Sequence, residues 1–168
     1  VQPLLDQCNA DLRALNPDIV DVVPAFADLV GDLNMELRLA TIDEDGNCMS
    51  GIRYHEYDPW MEGPNSLEPT QDTRHYLNIH IMPSVNSFAT LPGPVSNPYD
   101  PTDVIVLSTG QGEFLARTLT HEVGHWAGLM HVWGPAPTTG ACGDDGIADT
   151  PITAGSQLDC ILDQTECT

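Results

Sequence analysis

Lysine is absent from these 168 residues, and the only cations are Arg13, Arg38, Arg53, Arg74 and Arg117. Against those 5 basic side chains stand 25 Asp and Glu, a formal net charge of −20. A surface this short of positive charge is repelled by nucleic acid and by anionic membranes, so neither is expected as a partner. The charge suits an extracellular protein that binds Ca²⁺ or works in salty water; solvation alone is the plainer explanation. No apolar run approaches the ~18 residues of a membrane span. The opening VQPLLDQCNADL has neither a basic start nor a cleavable apolar stretch, so any secretion signal would precede Val1. No internal repeat, low-complexity tract or flexible linker divides the chain. No C-x-x-C pair occurs, which weighs against cysteine ligation of zinc.

What is present is enough for one domain with a core: 41% hydrophobic residues over 168 positions. Leu4, Leu5, Cys8, Leu12 and Leu15 fall at helical spacing, so residues 3–15 should form a helix that Asn16-Pro17 ends. Residues 22–30 suit a short helical turn. Met35, Leu37 and Leu39 alternate with Glu36, Arg38 and Ala40, the pattern of a half-buried strand. Asp43–Asn47 reads as a turn and Gly51–Tyr57 as a returning strand. Tyr76–Met82 alternates again and Pro83 stops it; Asp103–Ser108 is a short apolar run suited to a buried strand. Between these lie Pro- and Gly-rich stretches, about 58–72 and 83–102. Glu113 to about Ala127 is the strongest helix, with Leu115, Leu119, Val123 and Trp126 on its apolar face. Helix, strands, long helix and an irregular tail make an α+β fold the expectation.

The chemistry concentrates in Thr120–Gly134, THEVGHWAGLMHVWG. His121 and His125, four apart on a helix, project from one face toward one point. Gly128 tolerates a left-handed backbone and can end the helix, turning the chain so that His131 returns to the same metal. Three neutral nitrogen ligands leave a tetrahedral Zn²⁺ one open position for water, whereas a closed structural site takes four protein ligands. Glu122 adjoins the first ligand. It is expected to act as general base on a water whose pKa zinc lowers from about 15.7 toward 7, then as general acid toward the leaving amine. The predicted reaction is peptide-bond hydrolysis without an acyl-enzyme. His55, His75 and His80 fit no metal spacing. Trp126 and Trp133 read as packing residues and not as substrate platforms.

H-E-x-x-H-x-x-G-x-x-H is the metzincin signature. Arg117–Gly134, with LATIDEDGNCMSGI (Leu39–Ile52) and CGDDGIADTP (Cys142–Pro151), resembles the pappalysin family, also called cytophagalysin-like metalloproteases. The resemblance covers most of the chain. It implies a secreted zinc endopeptidase with a twisted mixed sheet and an active-site helix beneath a horizontal cleft. An irregular, disulfide-stapled C-terminal part would follow. Residues 1–168 would be one catalytic domain, with 1–128 the N-terminal subdomain and 129–168 the start of the C-terminal one. A rim strand pairing with extended peptide substrate would correspond to Tyr76–Met82, making Tyr76, Asn78 and His80 the candidate substrate residues. A structural Ca²⁺ would sit in the acidic loop, on Asp145, Thr150 and the Ala148 carbonyl. Cys142 would pair with Cys167 across that loop, leaving Cys8, Cys48 and Cys160 without assigned partners.

Two features of the family are missing here: a strand ahead of the first helix, and a methionine turn after His131. Met130 precedes His131 and cannot serve as that turn. The expectation is therefore a portion of a larger catalytic domain. The alternatives left open are a zinc-binding but inactive fragment or pseudoenzyme acting as a binding module, another metzincin subfamily and, more remotely, a calcium-binding adhesion domain. Glu122 favours the enzyme, because a binding site needs ligands but no base.

Overall fold

The computed structural model describes residues 1–56, 71–83, 86–92, 103–135, 141–155 and 167. The chain divides into two compact units, Val1–Ala127 and Gly128–Thr168.

In the first unit, helix α1 runs from Gln2 to Leu12 and buries Leu5, Cys8 and Leu12. It ends earlier than the apolar spacing alone suggests. Ala14 takes a left-handed φ of 53°, and the chain goes on into 3-10 turns at Pro17–Asp21 and Pro24–Leu29. A three-stranded mixed sheet follows, ordered β1-β3-β2. β1 (Asn78–Met82) pairs in parallel with β3 (Val104–Ser108), and β2 (Phe88–Ala89) pairs with β3 antiparallel. All five residues of β3 are buried, which is why it reads as an unbroken apolar run: a central strand has no solvent face. Ile105 and Leu107 join Leu5, Cys8, Leu12, Leu119 and Val123 in the main core; Val104 and Val106 form a smaller cluster with Met82.

After β3, Ser108 Oγ accepts from the Gly110 N–H, and Thr109–Phe114 winds as a 3-10 segment broken at Gly112, where φ is 56°. Helix α2 then runs Leu115–Trp126, two residues later than the apolar pattern indicates, because Gly112 resets the backbone first. α2 packs against α1, β3 and β2. Burying Leu119 and Val123 stabilises this arrangement by roughly 1.5–3 kcal/mol per side chain.

Two expected strands are corrected. Met35–Ala40 forms no ladder. Its alternation holds, since Met35, Leu37 and Leu39 pack on the main core. Its backbone, however, is satisfied by a side chain: the Asn9 amide donates to Leu37 O (2.9 Å) and accepts from Leu37 N–H (2.7 Å). Residues 51–56 are likewise no strand, and Tyr57 lies outside the described residues. What survives of that hairpin is the turn. Ile42 and Cys48 bridge, and Asp43 accepts from the N–H groups of Asp45 and Asn47, which holds its carboxyl below the usual range.

In the second unit, β4 (Cys142–Gly143) pairs antiparallel with β5 (Thr153–Ala154), and Cys142 is disulfide-bonded to Cys167. Gly134 has a φ of 55° and lies against the Asp144 carbonyl, where a Cβ would meet that oxygen at 2.0 Å; no other residue fits there. Cys8 (buried) and Cys48 (exposed) are free thiols; Cys160 falls outside the described residues.

Candidate metal centre

α2 carries His121 and His125 one turn apart. Their Nε2 atoms lie 2.9 Å from each other, with ring centroids 4.5 Å apart and planes nearly perpendicular. Gly128 follows the helix with a φ of 98°, the left-handed conformation its position after the apolar face implies. His131 stacks on Trp133, centroids 4.6 Å apart and planes within 19°. The ligand atoms of His121, His125 and His131 all lie within 4.8 Å of one another. For Zn–N bonds of about 2.0–2.1 Å in a tetrahedral set, ligand nitrogens stand about 3.3 Å apart, so these separations suit one shared ion. Among the described residues, no other three His, Cys, Asp or Glu side chains converge in this way.

Glu122 sits between the two helical histidines in sequence, on the same helix. It is 5% exposed, and its Oε2 is buried without a hydrogen-bond partner. Burial pushes its carboxyl above the ordinary range, and nearby His125 partly opposes that rise. A buried carboxylate oxygen with nothing to accept from is costly. Here it stands beside the ligand pair, where a reacting water would give it a donor. The donor set and the orphaned oxygen thus both fit a zinc site that keeps an open coordination position.

The remaining candidates are scattered. Tyr76 donates its hydroxyl to Ile42 O at 2.9 Å, ahead of β1. Asn78 is buried, and its amide donates to Gln71 O at 3.0 Å. His80 is half-buried, with an unpartnered Nε2; burial and His55 lower its pKa. In the acidic loop, Asp144 and Asp145 accept from the N–H groups of Gly146 and Ile147, and Thr150 Oγ1 donates to both Asp145 oxygens at 3.3 Å. Asp145 and Thr150 are therefore adjacent in space as well as paired in the expectation. Trp126 packs on the main core and donates its indole N–H to Asp103 at 2.7 Å, a packing role as read from the pattern. Trp133 does more than pack, since it stacks on a metal-ligand candidate. The only sequence signal for that was its place two residues after His131.

Residues 66–168, more than half of the chain, match the family model described as pregnancy-associated plasma protein-A, a metallopeptidase family. The chain belongs to the pappalysin family of metzincin metallopeptidases. The chain is 35% identical over 126 residues to an extracellular metalloprotease of Podospora anserina, covering 64% of this chain and 42% of that protein. With an extracellular metalloprotease of Verticillium alfalfae the identity is 32% over 111 residues, 58% of this chain and 38% of the relative. Among solved structures, mature mirolysin of Tannerella forsythia in complex with a cleaved peptide superposes with a TM-score of 0.75 at 30% identity, covering 92% of this chain and 64% of that one. A promirolysin mutant of the same organism gives a TM-score of 0.76 at 29% identity, over 94% and 57%. The chain thus spans less than half of these curated relatives and about three fifths of the matching structures. In this pappalysin chain the overall fold matches that of mirolysin, a metzincin fold, and the three histidines of the extended motif fit one zinc ion. Among the described residues no helix is long and apolar enough to cross a membrane.

Proposed function

We propose that this chain is the zinc-binding part of a secreted endopeptidase, with Glu122 as its general acid–base. The observation that carries the reading is the convergence of His121, His125 and His131 nitrogens, with Glu122 next to His121 on the same helix and its Oε2 buried without a hydrogen-bond partner. The three histidines would hold the ion. Zinc, when bound, supplies Lewis acidity toward a peptide carbonyl and toward water. Glu122 takes a proton from the attacking water at its carboxylate and returns it to the amide nitrogen as the C–N bond breaks. Its burial keeps bulk water from taking over that exchange.

The substrate would be an extended peptide lying along an edge of the three-stranded sheet, supported by the cleaved peptide held by mature mirolysin. Tyr76 and Asn78 already have internal hydrogen-bond partners. They would act by shaping β1, whereas His80 has a ring nitrogen still to satisfy. Because α2 packs against β2 and β3, the β2 edge at Phe88–Ala89 is the nearer alternative. A structural Ca²⁺ on Asp145, Thr150 and the Ala148 carbonyl belongs to the same reading, supported by the closeness of the first two. Secretion is supported by relatives described as extracellular and by the disulfide, which persists in oxidising compartments.

The test is cleavage of casein or gelatin, with and without a zinc chelator, beside Glu122→Ala, together with metal analysis. One zinc per chain and chelator-sensitive cleavage lost in the variant are expected. Zinc uptake with no cleavage by the parent would favour the binding-module alternative, and equal cleavage by parent and variant would exclude the assigned base.

A further inference from the structure

We propose that Asp11, on α1, is a positioning residue for the metal-binding helix: it fixes the rotation of α2 about its own axis and so the aim of His121 and His125. The inference rests on the zinc reading above. The Asp11 side chain is 5% exposed. Its carboxylate takes the Arg117 guanidinium at 2.9 Å, the Thr120 hydroxyl at 2.7 Å and the Gln7 amide at 2.8 Å. Two of these three donors belong to α2. They are three positions apart on neighbouring turns, and Thr120 immediately precedes His121.

The apolar contacts of α2 cannot do this alone. Burial of Leu119 and Val123 is non-directional and tolerates small rotations. A carboxylate receiving two donors from one helix face does not, because hydrogen bonds weaken steeply as they misalign. Side chains reach about 5–6 Å from a helix axis, so a rotation of ~10° carries a ring nitrogen by ~1 Å. Metal–ligand distances hold to about 0.2 Å. Burying a carboxylate is costly unless it is fully paired, and specifying one arrangement is the best-attested return for that cost. Asp18 provides the contrast: it meets Arg117 at 2.6 Å from the exposed side.

The experiment compares the full 168-residue parent with Asp11→Asn, Asp18→Asn and Thr120→Val. Three readouts are taken on each: zinc affinity by chelator competition, the visible spectrum of the Co²⁺-loaded chain, and metal-free thermal unfolding. Asp11→Asn keeps the side-chain shape but removes the charge facing Arg117. It should weaken zinc binding about tenfold or more and shift the cobalt bands, as loss of a ligand-orienting partner does. Asp18→Asn should match the parent. Parent-like zinc affinity and cobalt spectrum in Asp11→Asn overturn the proposal whatever its melting temperature. If that variant fails to fold, Thr120→Val decides: it keeps the Arg117 ion pair, so a weaker effect of the same sign supports the role and unchanged affinity overturns it. A parent that takes up no zinc sinks the zinc reading itself, a separate result.

Discussion

Two regions of this molecule carry candidate metal-binding groups, and they hold them by different physics. Val104–Trp126 is built on burial: Ile105, Val106, Leu107 and Val123 are fully inside, β3 is paired on both sides, and α2 is packed on the sheet and on α1. His121 and His125 are carried by a helix seated on that core. Cys142–Ala154 has little apolar interior; Ile147 and Ile152 are 41% and 51% exposed. Its oxygen donors are held by two residue pairs of β-ladder, turns closed by Asp144 and Asp145, and one disulfide. The difference teaches that a donor set can be organised by a core or by local bonds and a covalent staple. Only the first organisation should respond to a distant core mutation.

The sharpest way to break the contrast is Glu122→Gln. Turnover should fall by about 10²–10⁴-fold with zinc content unchanged, read from peptide cleavage and metal analysis of one preparation. If zinc is lost too, the residue helps to build the site and the division between base and ligands fails. Leu119→Ala, 1% exposed in the parent, should cost about 2–5 kcal/mol in urea unfolding and lower zinc affinity with it. A large cost with intact zinc binding would mean the helix is aimed independently of its core.

Replacing Cys142 and Cys167 together by Ser opens a loop of sequence separation 25 and should remove about 3 kcal/mol, seen as faster amide exchange over residues 141–155. Unchanged exchange there would show that the local hydrogen bonds suffice. The smallest effect is expected from Asp145→Ala. Its bonds from Thr150 are long, so the loss should be about 1 kcal/mol or less without calcium. With Ca²⁺ at about 100 times its Kd, the parent should gain roughly 2.7 kcal/mol that the variant does not. No calcium-dependent gain in the parent would remove the ion from this loop.

Much of the fold was legible because it is local. α1, β1, β3 and α2 follow from spacing and punctuation, and so does the glycine bend after α2. The cost of reading locally shows at Met35–Ala40. The alternation correctly predicted which side chains face the core, but a strand also needs a partner, and here the Asn9 amide takes that place at Leu37. No feature of the pattern distinguishes that outcome from a ladder. At the site, His121, Glu122, His125 and His131 were visible as a motif. The stacking of Trp133 on His131 and the hold of Asp11 on Thr120, 109 positions away, were not.

By itself, the sequence determined the identity and order of the candidate ligands, the proposed base beside them and the bend that follows, because helical periodicity and a glycine's freedom act over a few residues. Tertiary structure decided which strands found partners, that the Glu122 carboxylate would be buried with an unsatisfied oxygen, and that a carboxylate from α1 would grip α2. Those outcomes depend on desolvation and on hydrogen-bond geometry between segments brought together only by folding.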